Sequence, residues 1–146
     1  MLNEAAKTKT VHVLLVEDNN VDREAVRRAF ARHRIANPIH DANDGVEALE
    51  ILRGKGDRPL PRPYLILLDI NMPRMNGIEL LHELRADPEL RDSIVFVLTT
   101  SKSDEDKMAA YGTNVAGYIL KSDVGAGFVG LVSLLEHYWR LVEFPT

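Results

Sequence analysis

Polar residues that could take part in one chemical site follow apolar segments of the sequence. Glu17 and Asp18 follow HVLLV, Asp69 follows YLILL, Thr99 follows IVFVL, and Lys121 follows GYIL. A carboxylate beside a buried apolar run is costly unless a partner pairs with it. Carboxylate oxygens in a chain without cysteine favour a hard cation, Mg²⁺ first, and this ion usually keeps waters and phosphate oxygens. These residue types therefore indicate phosphoryl chemistry, in which Asp69 is the expected nucleophile toward phosphorus.

The elements that must position these residues follow from the alternation of apolar and amphipathic segments. Strands are predicted at 11–16, 37–41, 64–68, 94–98 and 117–120, with the second the weakest. Helices are predicted to begin near Asn20, Asp44, Asn76, Ser103 and Val124. Five strands alternating with five helices favour an α/β fold, a doubly wound parallel sheet of the flavodoxin-like (βα)5 type with strand order 2-1-3-4-5.

Details of the first helix are also predicted. Asn20 is its expected N-cap, and Asp22 and Glu24 suit the positive end of the helix dipole. Val21 and Val26 are expected on its buried face, because they share one side at helical spacing.

The predicted strand order brings the carboxyl ends of strands 1, 3, 4 and 5 to one edge of the sheet. Glu17, Asp18 and Asp69 would then share a crevice with Thr99 and Lys121. Three close carboxylates would repel one another by about 10 kcal/mol, which is comparable to the whole stability of a domain, roughly 5–15 kcal/mol. One lysine does not offset that repulsion alone. The carboxylates must therefore spread apart, carry a proton, or hold a cation.

Composition bounds the class of protein. A chain of 146 residues fits one domain, and its net charge of −4 argues against a general basic field for nucleic acid. Residues 1–10 lack the long apolar stretch of a signal peptide, and no apolar run approaches the ~18 residues of a membrane span. We expect a cytoplasmic protein with a flexible tail at 1–10, one domain at 11–142, a short tail at 143–146, and no output domain.

Four motifs in this order resemble the CheY-like receiver domains of two-component response regulators. They are LLVEDN at 14–19, LILLDINMPRMNG at 65–77, VLTTS at 97–101 and GYILK at 117–121. The resemblance implies that Asp69 is the phosphoacceptor for a sensor histidine kinase. It also implies that Asp18, Asp69 and the backbone carbonyl of Asn71 bind Mg²⁺, with Mn²⁺ as a substitute, and that Glu17 acts through a metal-bound water.

The same resemblance assigns roles in switching. Thr99 is the expected switch hydroxyl and Lys121 the expected partner of the phosphoryl group. Tyr118 is at the aromatic switch position and would turn inward when Thr99 moves. Asn71 and Ser101 are at the positions that tune the lifetime of the phosphorylated form.

One position departs from the family pattern. Ser122 stands where the family usually has a cis proline after the lysine, so the resemblance does not predict the peptide geometry at Lys121-Ser122. The segments GDRPLPRP, TTSKSDED, LKS and HYWRLVEFPT are similar to stand-alone regulators paired with bacterial phytochrome histidine kinases. A phytochrome kinase is therefore the expected partner, and a phosphotransfer protein is an expected downstream acceptor.

The last predicted helix, 124–142, carries an apolar band wider than one buried face requires. A homodimer through this region is one interpretation, and extra core packing under the C-terminal tail is the other.

Other functions remain open at this stage. The main hypothesis is a phosphorylation switch rather than an enzyme with an external substrate. A Mg²⁺-dependent aspartyl-phosphate phosphohydrolase is the first alternative, although such enzymes usually carry a second acid where this chain has Asn71. A nucleotide or flavin module lacks support, because neither glycine-rich phosphate motif is present. A receiver-like binding module that works without phosphorylation is the last alternative.

Overall fold

The fold consists of a parallel sheet and the helices that connect its strands. The computed structural model describes residues 10–70, 75–99 and 112–121. The elements in these ranges are β1 (His12–Val16), α1 (Asn20–Arg32), β2 (Ile39–Ala42), α2 (Gly45–Leu52), β3 (Tyr64–Asp69), α3 (Gly77–Ala86), β4 (Ile94–Thr99) and β5 (Gly117–Leu120). The helices predicted near 103–112 and 124–142 lie outside the described residues, except Gly112. Within the described ranges, no helix is both long and apolar enough to span a bilayer.

All five strands are parallel, and their order is β2-β1-β3-β4-β5. The predicted order is therefore confirmed. The strand order reverses between β1 and β3. The helix that follows β1 packs on one face of the sheet, and the helix that follows β3 packs on the other face. In open sheets of this kind, ligands bind beyond the carboxyl ends of the strands at such a reversal.

The core lies on both faces of the sheet. Side chains of a strand alternate between faces, so Leu14, Ile66 and Val97 pack toward α2 and α3. Leu15, Leu67 and Phe96 pack on the other face, toward α1. The central strands are therefore continuous apolar runs, and a polar residue can occur only where the strand ends.

Helix starts are set by side-chain caps. Asp44 accepts a hydrogen bond from the Glu47 backbone at the start of α2, and Asn76 forms a full capping box with Glu79 at the start of α3. The predicted cap at Asn20 is wrong, because Asn19 is the N-cap and its side chain accepts from the Asp22 backbone at 3.0 Å.

Two further predictions for this part of the chain need correction. Val21 is 72% exposed rather than buried, because the core contacts of α1 begin only at Val26. The weak second strand occupies Ile39–Ala42, later than the predicted 37–41. Pro38 has no backbone N–H to donate to the ladder, and the Asn37 side chain donates to the Val11 carbonyl just before the strand.

The start of α3 packs directly against the end of β3. A Cβ added to Gly77 would lie 2.5 Å from the Ile70 Cα and 2.9 Å from the Asp69 carbonyl oxygen. The Gly77 backbone also donates to the Ile70 carbonyl at 3.1 Å. This close approach requires glycine, and it fixes the backbone on which Asp69 stands.

Candidate functional site

The predicted polar residues meet at the carboxyl edge of the sheet. Glu17 and Asp18 directly follow β1, and Asp69 is the last residue of β3. Ligand oxygens of these three carboxylates lie within 4.8 Å of one another. Lys121, directly after β5, places its Nζ 3.2 Å from Asp69 Oδ2 and 3.3 Å from Glu17 Oε1. The strand order therefore brings four predicted residues into one cluster.

The carboxylates differ in their access to solvent. Glu17 is 1% exposed and Asp69 is 3% exposed, whereas Asp18 is exposed. A buried charge is stable only when other groups pair with it. The cluster is thus a buried carboxylate pair with one carboxylate at its open side, where a ligand can enter.

The surroundings of Glu17 favour the protonated, neutral form of its carboxyl group. Burial raises its pKa to about 7, with further increases from the negative charge of Asp69 and a hydrogen bond between the two side chains. The Lys121 charge and a hydrogen bond from the Asn19 backbone act in the opposite direction but are weaker. Of the three options open to close carboxylates, this environment favours a proton on Glu17, and Lys121 offsets part of the remaining negative charge.

Lys121 is the positive centre of the cluster. Burial lowers its pKa, but a hydrogen bond to Asp22 and the charges of Asp69 and Glu17 outweigh burial and raise the pKa above its usual value. The lysine is therefore a permanent cation at physiological pH. Its charge is shared among three carboxylates rather than paired with one.

Thr99 lies at the same edge of the sheet as the carboxylate cluster. It is the last residue of β4, the strand between β3 and β5, and it is 1% exposed. Its Oγ1 is buried and makes no hydrogen bond with the described part of the chain. An unsatisfied buried hydroxyl costs about 1–3 kcal/mol. A ligand with an acceptor oxygen above Asp69 would relieve that cost.

Tyr118 lies in β5 beside Val97 of β4. It is partly buried and packs against the core face that contains α2 and α3. The residue is thus at the rim of the core, two positions before Leu120 and three before Lys121.

The donor set fits a hard divalent cation. Three carboxylates converge without any sulfur or imidazole ligand, which is the chemistry preferred by Mg²⁺ and Mn²⁺. Glu17 Oε1 is buried without a hydrogen bond in the described structure, although Lys121 lies 3.3 Å away. Asn71 and Ser101, the other predicted site residues, lie outside the described residues, as does Ser122.

Two residues of the cluster were missed by sequence reasoning. Asp22 accepts a hydrogen bond from Lys121 Nζ at 3.0 Å, and the Asn19 backbone donates to Glu17 Oε2 at 3.3 Å. Asp22 was interpreted only as a residue suited to the helix dipole. Its spacing four residues after Asp18 was the one available signal, because it places Asp22 in the first turn of α1 near the same strand end.

Comparison with known proteins gives a consistent family. A family profile described as "Response regulator receiver domain" matches residues 13–125. The chain is 35% identical over 128 residues to response regulator Rcp1 of Synechocystis sp., and the match covers 87% of each chain.

Solved structures of regulators share the fold. The bacteriophytochrome response regulator RtBRR matches with a TM-score of 0.80 and 32% identity, over 94% of this chain and 85% of that one. The phosphorylated cyanobacterial phytochrome response regulator RcpA matches with a TM-score of 0.73 and 34% identity, over 94% and 100%. The Mn²⁺-bound form of Rcp1 matches with a TM-score of 0.70 and 34% identity, over 93% and 99%.

Proposed function

Because this chain belongs to the response regulator receiver domain family, we propose that it is a phosphorylation switch whose phosphoacceptor is Asp69. The observation that carries the proposal is the position of Asp69. Its buried carboxylate ends the central strand β3, with the Lys121 ammonium 3.2 Å away and two further carboxylates within 4.8 Å. Lys121 can neutralise a phosphoryl oxygen directly, whereas the two further carboxylates could do so only through a cation that they hold.

The transfer step is a substitution at phosphorus. An Asp69 carboxylate oxygen forms the new P–O bond while the P–N bond to the kinase histidine breaks, and the imidazole leaves with the bonding electron pair. Lys121 stabilises negative charge on a transferred oxygen without moving a proton, because its raised pKa keeps it charged. Catalysis by the chain is therefore positioning and charge stabilisation.

The carboxylates would hold a divalent cation during this step. Asp18 and Asp69 are the proposed direct ligands with the Asn71 carbonyl, and Glu17 is the proposed partner of a metal-bound water. A cation bound there neutralises phosphoryl oxygen charge. The acidic cluster of this chain and its similarity to Mn²⁺-bound Rcp1 support a divalent ion, and we propose Mg²⁺, with Mn²⁺ as a substitute.

The switch begins at Thr99. A phosphoryl group on Asp69 adds about −1.5 to −2 charge and acceptor oxygens, and the buried Thr99 hydroxyl is a donor with no described partner. We propose that Thr99 moves toward the phosphoryl group and that Tyr118 then turns inward. A shift from mostly inactive to mostly active requires a bias of about 5.5 kcal/mol between the two states, which these new hydrogen bonds would supply with Lys121. Asn71 and Ser101 would tune how long the phosphoryl group persists.

The proposed phosphodonor is a sensor histidine kinase, and within that class a bacterial phytochrome. Receiver domains pair with histidine kinases, and similarity to Rcp1, RtBRR and RcpA supports the light-sensing subclass. A homodimer formed through the last helix and a downstream phosphotransfer protein complete the proposal. Phosphotransfer from purified phytochrome kinases, measured beside kinases with other sensory domains, tests the partner class.

The chemistry is tested by phosphate incorporation from acetyl phosphate, followed by intact-mass measurement. With Mg²⁺, the wild type is expected to gain one phosphoryl group. Without Mg²⁺, or in Asp69→Asn, no gain is expected. Asp57→Asn is the matched control, since it removes an exposed aspartate from a loop far from the strand ends in sequence.

Other outcomes contradict the proposal in distinct ways. No incorporation under any condition would leave a receiver-shaped binding module. Incorporation that persists in Asp69→Asn would place the phosphoacceptor elsewhere. Continuous turnover of external phosphate esters would favour the phosphohydrolase, which the receiver-family matches do not favour.

A further inference from the structure

Asp22 forms the shortest of the ion pairs that the described structure gives Lys121. The Lys121 Nζ lies 3.0 Å from Asp22 Oδ2, compared with 3.2 Å from Asp69 and 3.3 Å from Glu17. Asp22 is in the first turn of α1, and 99 residues separate it from Lys121. Its side chain is 40% exposed, whereas that of Asp69 is 4% exposed.

The ammonium group has fewer donors than a phosphorylated site would require. A lysine has three N–H donors and no acceptor, and three carboxylates already lie within 3.3 Å of Nζ. A phosphoryl group on Asp69 adds acceptor oxygens and negative charge beside the same ammonium. Phosphorylation also turns the Asp69 carboxylate into an acyl phosphate, so the phosphoryl oxygens replace it as the most negative acceptors. The ammonium is then drawn toward these oxygens and away from its other partners.

Asp22 is the partner with the lowest cost of release. Water can solvate its half-exposed carboxylate, whereas Glu17 is buried and has little access to water that could replace the ammonium. The helix also places Asp22 at its positive N-terminal end, which continues to stabilise the carboxylate after Lys121 has moved.

We propose that Asp22 is a positioning residue that holds the Lys121 ammonium beside Asp69 in the unphosphorylated chain and releases it when a phosphoryl group occupies Asp69. This inference rests on the proposed function of Asp69 as phosphoacceptor. Asp22 therefore competes with the phosphoryl group for one cation. Its carboxylate sets the balance between the two states of the switch.

The proposal gives a direction for mutants. Asp22→Asn removes the competitor, so the affinity for beryllofluoride, an analogue of the phosphoryl group, is expected to rise about 2- to 5-fold in the presence of Mg²⁺, as expected for loss of a half-exposed ion pair. Asp22→Glu retains a carboxylate and is expected to return the affinity toward the wild-type value. Glu24→Gln is the control for net charge, because Glu24 is an exposed acid of the same helix that is not among the ion-pair partners of Lys121.

The decisive readout is the NMR signal of the Lys121 ammonium and its adjacent carbon, identified by its loss in Lys121→Arg. Without ligand, the signal is expected to differ between wild type and Asp22→Asn, because the wild-type lysine is paired with Asp22. With Mg²⁺ and beryllofluoride, the two signals are expected to converge, because Lys121 has left Asp22. Glu24→Gln is expected to match the wild type in both states.

Three outcomes would overturn the inference. The Asp22→Asn affinity could equal that of Glu24→Gln, the affinity could fall, or the difference in the lysine signal could persist in the ligand-bound state. Failure of the proposed function gives a separate result. In that case the wild-type lysine signal would not respond to Mg²⁺ and beryllofluoride at all, and acetyl phosphate would add no phosphoryl group to Asp69.

Discussion

The Lys121 Nζ lies 3.2 Å from Asp69 Oδ2, although β4 separates the strands that carry these two residues. The lysine therefore reaches over the end of β4, where Thr99 is buried. This geometry places a cation on one side of the Asp69 carboxylate and leaves Asp18 on the exposed side. A group added to Asp69 is expected to meet Lys121 and Thr99 together.

Removal of the Lys121 charge is expected to slow phosphorylation strongly. Lys121→Gln should lower the initial rate of phosphate incorporation from acetyl phosphate by about 10²-fold, the usual effect of losing one preorganised charge-stabilising donor. Lys55→Gln, in an exposed loop, is the matched control and should retain the wild-type rate. Equal rates in the two variants would mean that the ammonium does not contact the transferred group.

Replacement of Thr99 is expected to stabilise the unphosphorylated fold and to weaken its response to a phosphoryl analogue. Thr99→Val removes a buried hydroxyl with no described partner, so the free energy of unfolding in urea should rise by about 1 kcal/mol. The same variant should gain less stability than wild type from Mg²⁺ and beryllofluoride. Thr113→Val, at a second buried threonine, should show no gain in stability. A destabilised Thr99→Val protein would indicate that the hydroxyl is already satisfied.

Mg²⁺ is expected to stabilise the folded chain through the carboxylate cluster. At a concentration of about 100 times Kd, an ion that binds only the folded state adds about 2.7 kcal/mol to the free energy of unfolding. Asp18→Asn should lose most of this gain because it removes the exposed ligand, whereas Asp57→Asn should keep it. Unfolding in urea with Mg²⁺ or with a chelator measures the difference. An equal Mg²⁺ effect in both variants would exclude Asp18 as a ligand.

Much of the fold was predictable because the central strands are buried on both faces. Ile66 and Leu67 point to opposite faces, yet both are fully buried, so their segment must be apolar throughout. Strand ends were then visible as the first polar residue, which identified Glu17 and Asp69. The starts of α2 near Asp44 and of α3 near Asn76 were visible for a similar reason, since the hydrogen bonds that cap these helices are local.

The remaining features depend on contacts that leave no local pattern. Asn19 and Asn20 have the same side chain, so composition does not decide which of them caps α1. Val21 is exposed because the first turn of α1 makes no core contact with the sheet, and the helical spacing of Val21 does not reveal this. The pair between Asp22 and Lys121 joins residues 99 positions apart, and only the tertiary fold brings them together.

Arg85 is expected to be important for stability, because it ties α3 to the segments before β4 and β5. Its guanidinium donates to the backbone carbonyls of Arg91, Ser93, Thr113 and Asn114 at 2.8–3.1 Å. Arg85→Ala should lower the free energy of unfolding by about 2–3 kcal/mol, since partly buried carbonyls lose charged donors. Arg85→Lys should recover only part of that loss, because an ammonium cannot reproduce the planar guanidinium fork.

Arg91→Ala is the matched control for Arg85. It removes an exposed arginine but leaves its own carbonyl in place as an acceptor. Its effect on unfolding in urea should be small. An equal loss in the two variants would show that the carbonyl contacts of Arg85 contribute little.

The His12–His40 pair is expected to make the chain sensitive to mild acid. One nitrogen of each ring lies 2.9 Å from the other, so one nitrogen donates a hydrogen bond and the other accepts it. Protonation of the accepting nitrogen would remove the acceptor and break this hydrogen bond. Burial and the charge of His12 lower the pKa of His40 from 6.5. The unfolded chain therefore binds this proton first, and the free energy of unfolding should fall as pH drops below 6.5. Urea unfolding across pH should show this loss in wild type and in His33→Gln, at an exposed histidine, but not in His40→Gln. Parallel pH profiles for all three proteins would contradict it.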